Sequence, residues 1–176
     1  GLQPLKRVAL LHSRASEDWW RFYSTGEPAD CLTHEDKDAR YASRAQVEVL
    51  MHYLRTNTPV DLYYLESVTA QQLADYPLVV VPFPFAIDDD QVAMLRELAD
   101  EGKAIVVMSE VGTLTAGGEV RDTPALLDLL GLDEAPTGEQ TGRLIVDESS
   151  PLSQIPLDDE VTTYSSVAFR ESVDTG

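Results

Sequence analysis

The chain has 176 residues, 43% of them apolar, which is enough for one packed domain and too apolar for a disordered chain. Its formal net charge of −18, from 31 acidic and 13 basic residues, argues against nucleic acid or an anionic membrane as a partner. No apolar run reaches membrane-spanning length, no basic-plus-apolar leader opens the sequence, and the single cysteine, Cys31, forbids an internal disulfide, so a cytoplasmic setting is expected. The lysines are Lys6, Lys37 and Lys103, and so acidic and lysine-poor a surface suits a high-salt cytoplasm as well as an ordinary one.

In chain order, residues 7–12 (Arg-Val-Ala-Leu-Leu-His) read as a buried strand. Residues 13–38 are polar and dotted with aromatics. That is too long for a routine connection, so the segment is expected to be functional, an interface or partly ordered. Residues 41–55 place Val47, Leu50, Met51 and Leu54 on one face of a helix, with His52 as half-buried packing, and Asn57-Thr58-Pro59 stops it. Residues 60–65 read as a second strand. Residues 69–76 form a short helix or turn that places Leu73.

The third strand, 78–81, is an unbroken apolar run ended by Pro82 and Pro84, which cannot donate to a ladder. Asp88-Asp89-Asp90 then cap a helix over 90–101 and favour its positive end. Val92, Leu95 and Leu98 point inward from it, and Gly102 stops it. A fourth strand spans 104–108. A flexible, Gly-rich loop covers 112–122, and a short helix over 124–130 ends at Gly131. Residues 143–146 read as a fifth strand and 161–169 as one more. The alternation predicts a single α/β domain over 1–176, flavodoxin-like, with a mostly parallel central sheet. Its core spans about 7–147, and 148–176 form a polar C-terminal extension.

In such sheets, ligands bind just past the carboxyl ends of the strands. The turn after the first strand, Ser13-Arg14-Ala15-Ser16-Glu17-Asp18, has no glycine and two acids, so it would repel a pyrophosphate. No Gly-x4-Gly-Lys-Ser/Thr loop exists, and His12 and Pro82-Phe83 stand where a phospho-receiver would need acids. The fourth strand ends Val107-Met108-Ser109-Glu110-Val111-Gly112. Ser109, or Glu110 in a shifted alignment, is the candidate nucleophile there, with His12 as a candidate base. A nucleophile elbow needs small flanking residues, and Val107 and Val111 fit it poorly, so no catalytic residue is expected. Cys31 reads as an incidental loop thiol near His34. His34-Glu35-Asp36 lacks the spacing of a metal site, and helix capping accounts for Asp88-Asp89-Asp90, so no metal or cofactor is expected. The cluster Trp19-Trp20-Arg21-Phe22-Tyr23 has three readings: a cap on the open sheet edge, a subunit interface, or stacking on a sugar.

Val8-Ala9-Leu10-Leu11-His12 running into Ser16-Glu17-Asp18-Trp19-Trp20 resembles the opening of the β-galactosidase trimerisation domain, the middle domain of family 42 glycoside hydrolases. The resemblance continues through the helix at 41–55, Val60-Asp61-Leu62-Tyr63-Tyr64 and the strand ending at Pro82. It extends over residues 95–107 and Leu126-Leu127-Asp128-Leu129-Leu130-Gly131-Leu132, covering most of 7–147. It implies a three-layer class I glutamine-amidotransferase-like fold without its nucleophile. It also implies a role in subunit assembly, with three subunits packed together beside a separate glycosidase barrel and possible contact with carbohydrate. The rival readings are a small hydrolase using the Ser109/Glu110 turn with a histidine, and a ligand-binding module at the strands' carboxyl edge.

Overall fold

The computed structural model describes residues 5–25 and 40–133, together with the backbone of 142–143, 162–163 and 167–168. The central sheet holds β1 (Val8–His12), β2 (Val60–Tyr64), β3 (Leu78–Val81) and β4 (Ala104–Met108). These four run parallel in the order β2-β1-β3-β4, with Val8 level with both Val60 and Leu78 and Leu78 level with Ala104. This is the flavodoxin-like arrangement, in which parallel strands are covered on both faces and therefore read as continuous apolar runs. Val79, Val80 and Val81 are all buried, which is why that run does not alternate.

Helix α1 (Arg14–Thr25) follows β1, and α2 (Tyr41–Arg55) leads into β2. The short α3 (Ala70–Leu73) precedes β3, α4 (Asp89–Asp100) joins β3 to β4, and α5 (Leu127–Leu130) follows β4. One face of the sheet packs Leu11, Val79, Val81 and Val107 against Leu73, Leu95, Leu98 and Leu127. The other face packs Leu10 and Val80 against Val49, Leu50 and Tyr53 of α2. The layers are thus helix, sheet, helix. Thr69 caps α3 by accepting from Gln72 N–H, and the Gln72 side chain accepts from Thr69 N–H. At the start of α4, the Gln91 side chain accepts from Asp88 N–H at 2.9 Å. Past the ends of α4 and α5, Gly102 (φ 84°) and Gly131 (φ 66°) take the left-handed turn that glycine adopts without strain.

Several expectations need correction. Residues 14–25, part of the long polar segment to which the sequence assigns no element, form a helix. The face expected on α2 is split: Leu50 points inward, while Val47, Met51 and Leu54 are exposed. His52 is exposed instead of half-buried. The 112–122 loop is pinned, because Leu114 bonds to the backbone on both sides of Ala86 (Ile87 N to Leu114 O, 3.0 Å; Leu114 N to Phe85 O, 2.9 Å). Of the expected fifth strand, 143–146, the described part is Arg143 in β5 (Gly142–Arg143), which pairs antiparallel with β6 (Thr162–Thr163) apart from the central sheet. The fifth place in the central sheet belongs to β7 (Val167–Ala168), antiparallel to β4. Cys31, His34, Glu35 and Asp36 lie outside the described residues. No described helix is long and apolar enough to cross a membrane.

Candidate functional site

The carboxyl edge of the sheet is the place to look, and the chain's own groups occupy it. Ser13, the residue after β1, caps α1 by accepting from Ser16 N–H at 3.1 Å. Its own N–H donates to the buried Gln46 side chain of α2 at 3.0 Å. Ser16 Oγ donates to Ala86 O and accepts from Ala86 N–H, which ties α1 to the segment beyond β3. Glu66, just past β2, accepts from Ala15 N–H at 2.9 Å and from Ser13 Oγ at 3.1 Å. A helix N-terminus is a natural anion site. Here an internal carboxylate holds that position, so a phosphate would meet both competition and repulsion.

Above this network lies an aromatic cluster. Trp20 is fully buried, its ring 5.3 Å from both Phe83 and Phe85 in edge-to-face contact. The Tyr41 ring lies 5.7 Å from Trp20. Trp19 is half-buried, and its indole N–H donates to Ala116 O at 2.9 Å. The Tyr23 hydroxyl donates to Gly118 O at 3.3 Å. Phe22, in contrast, is 62% exposed, as is nearly as much of Val120 in the loop that α1 holds down. Of the aromatics singled out in the sequence, Trp20 is core, Trp19 and Tyr23 bind the 112–122 loop, and Phe22 faces outward. The adjacent tryptophans both pack within the chain because Trp20 enters the core while Trp19 lies along the loop.

Ser109 ends β4 in a left-handed conformation (φ 68°), with Glu110 N–H donating to Met108 O at 2.8 Å. This is a γ-turn of the positive-φ kind, which is rare and strained. The strained turn thus forms despite Val107 and Val111, and it centres on Ser109, not Glu110. Ser109 Oγ is buried and outside hydrogen-bonding geometry with any described group. The Tyr41 hydroxyl is no base: burial above all pushes its pKa up, and the Glu110 carboxylate adds to it. Glu110 itself is buried. His12 is engaged elsewhere, its Nε2 3.5 Å from Glu17 and its ring 5.4 Å from Tyr64. The structure therefore does not bring His12 to Ser109, and a serine with no base at hydrogen-bond range is not activated.

An open groove of about 540 Å³ between α3 and α4 is lined by Glu66, Asp88, Asp90 and Glu97. Asp88 and Glu66 are already committed, Asp88 accepting from Ala116 N–H at 2.9 Å. Among the described residues, no cluster of three His, Cys, Asp or Glu side chains is arranged to hold a metal. The sequence reading missed Gln46 and Glu66. Nothing in a lone acid after a strand marks it as a helix cap in another element.

No family model matches the chain, and no curated protein does. Nine solved chains match by structure. One is a β-galactosidase from Bifidobacterium adolescentis, with a TM-score of 0.53 and 17% identity, over 76% of this chain and 56% of that one. The match thus spans little more than half of that chain's length. The likeness is one of fold: the α/β architecture described above recurs there.

Proposed function

We propose that this chain is a non-catalytic, amidotransferase-like α/β module of a carbohydrate-active protein, a glycoside hydrolase by parentage. It works by contact, in subunit assembly or in shaping a neighbouring sugar site. The observation that carries this reading is the filled rim around α1: Glu66 holds the positive end of that helix, and Trp20 with Phe83 and Phe85 fills the space above. The structural likeness to a β-galactosidase supports the parentage, and the sequence resemblance supports assembly. The partner is another copy of this chain, three in all by that resemblance, or an adjoining glycosidase barrel. Phe22, backed by Trp19 and Tyr23, is the aromatic surface available to a subunit or a sugar ring. One cysteine in 176 residues fits a reducing cytoplasm.

One observation favours the second reading, a small hydrolase. Ser109 stands at the strained turn where an elbow nucleophile would stand. Among the described residues, no base lies at hydrogen-bond distance from it. Treatment with a serine-directed fluorophosphonate, followed by peptide mass analysis, separates the two readings. The proposal expects no adduct on Ser109 and no ester or amide turnover. A Ser109 adduct, or turnover abolished by Ser109→Ala, would overturn it.

A further inference from the structure

Helix α2 covers one face of the sheet but leaves its own outer side bare. Val47 and Leu54 on α2, and Leu62 and Tyr64 on β2, are each more than half exposed, and Met51 is 39% exposed. Val47, Met51 and Leu54 follow one another at helical spacing and form a stripe. A shallow groove of about 180 Å³, lined by Val47, Leu50, Leu62 and Tyr64 among others, joins that stripe to β2. β2 is the last strand on this side of the sheet. A contiguous apolar patch beside an open strand edge is what a contact surface looks like, and a hazard on an isolated chain.

The charges around the stripe identify the occupant. Glu48 and Arg55 are both exposed and lie along the same flank, three positions before Met51 and four after it. If a second α2 crosses antiparallel with Met51 near the centre, Val47 of one copy falls by Leu54 of the other. Glu48 of each then faces Arg55 of the other, twice over. Arg44 falls beyond the end of the partner helix, past the Glu48–Arg55 pair. The location also suits a chain of net charge −18. Glu48 and Arg55 balance each other along this flank, so two copies of an acidic chain would approach here without adding a like-charge pair between those positions.

We infer that the outer side of α2, flanked by β2, is an isologous contact that pairs two copies of this chain antiparallel about Met51. The inference rests on the assembly reading and deepens it by naming the surface. It differs from the resemblance in number. A self-complementary stripe closes at two copies, whereas three require head-to-tail contacts.

The test uses the whole chain in a Cys31→Ser background. Met51→Cys is expected to give a disulfide-linked dimer under mild oxidation, while Val120→Cys, exposed on another side, is expected to remain uncrosslinked. In the unaltered chain, Val47→Glu with Met51→Glu is expected to reduce association at least tenfold, with the circular dichroism spectrum preserved. Equal crosslinking at both positions, or none at position 51, would overturn the inference. A trimer whose mass ignores the double variant would also overturn it while leaving the assembly reading intact. A chain monomeric at every concentration would remove both.

Discussion

At Gly118 the left-handed backbone (φ 87°) meets the closest approach of the loop to α1. A Cβ there would fall 2.2 Å from Trp19 Cζ2. Neither the backbone nor the indole, fixed by its bond to Ala116 O, can give way easily. Gly118→Ala is expected to lower stability by roughly 2–4 kcal/mol, as overpacking and backbone strain add. A urea midpoint that does not fall would show that the loop is not held against Trp19. The buried tyrosines give a second test. Burial is the first cause raising the pKa of Tyr41, Tyr53 and Tyr76, and for Tyr76 the hydrogen bond to the Asp61 carboxylate at 2.5 Å adds to it. An unfolded tyrosine ionises near pH ~10. Above that pH the unfolded chain releases protons that the folded chain retains, so stability falls as pH rises. Below it these hydroxyls contribute no slope. Unfolding midpoints measured from pH 8 to 11 should stay level and then drop, and a level profile throughout would contradict the raised values.

The elements legible in the sequence are those whose residues need no distant partner. The run Val79-Val80-Val81 ending at Pro82 gave its strand, and Asp88-Asp89-Asp90 gave the start of α4, because a double-sided strand and a local cap are encoded within a few residues. Asp88→Ala should cost about 1–2 kcal/mol, since Asp88 Oδ1 also accepts from Ala116 N–H, and Asp88→Asn should recover most of it. Equal losses in both variants, read by chemical denaturation, would argue against the capping account. Helix α1 was missed because its acids and arginine hid the spacing of Ala15, Trp19, Trp20 and Tyr23, all of which pack in one cluster with Phe83 and Phe85. That spacing and the Ser13 cap were the available signals. The split face of α2 was not legible, because Val47, Leu50, Met51 and Leu54 share a side by spacing alone. Only the sheet beneath decides that Leu50 faces it. The strain at Ser109 was hidden too, since Val107 and Val111 argued against a tight turn that backbone geometry nonetheless imposes.

For the molecule as a whole, the net charge comes first. A chain of −18 repels itself, and the Debye length shrinks from ~10 Å at 0.1 M salt to ~3 Å at 1 M. The thermal midpoint should therefore climb by several degrees over that range, and equal stability at both would remove the high-salt reading. Glu66, Trp20, Phe83 and Phe85 fill the carboxyl edge around α1, and the proposed contact function turns on the apolar surface left exposed on α2, on β2 and at Phe22. The central claim, function through contact between copies, is tested most directly by sedimentation equilibrium of the unaltered chain over a wide concentration range. The account predicts a mass that rises to a whole-number multiple of the 19.4 kDa monomer. A mass fixed at one copy throughout would contradict it.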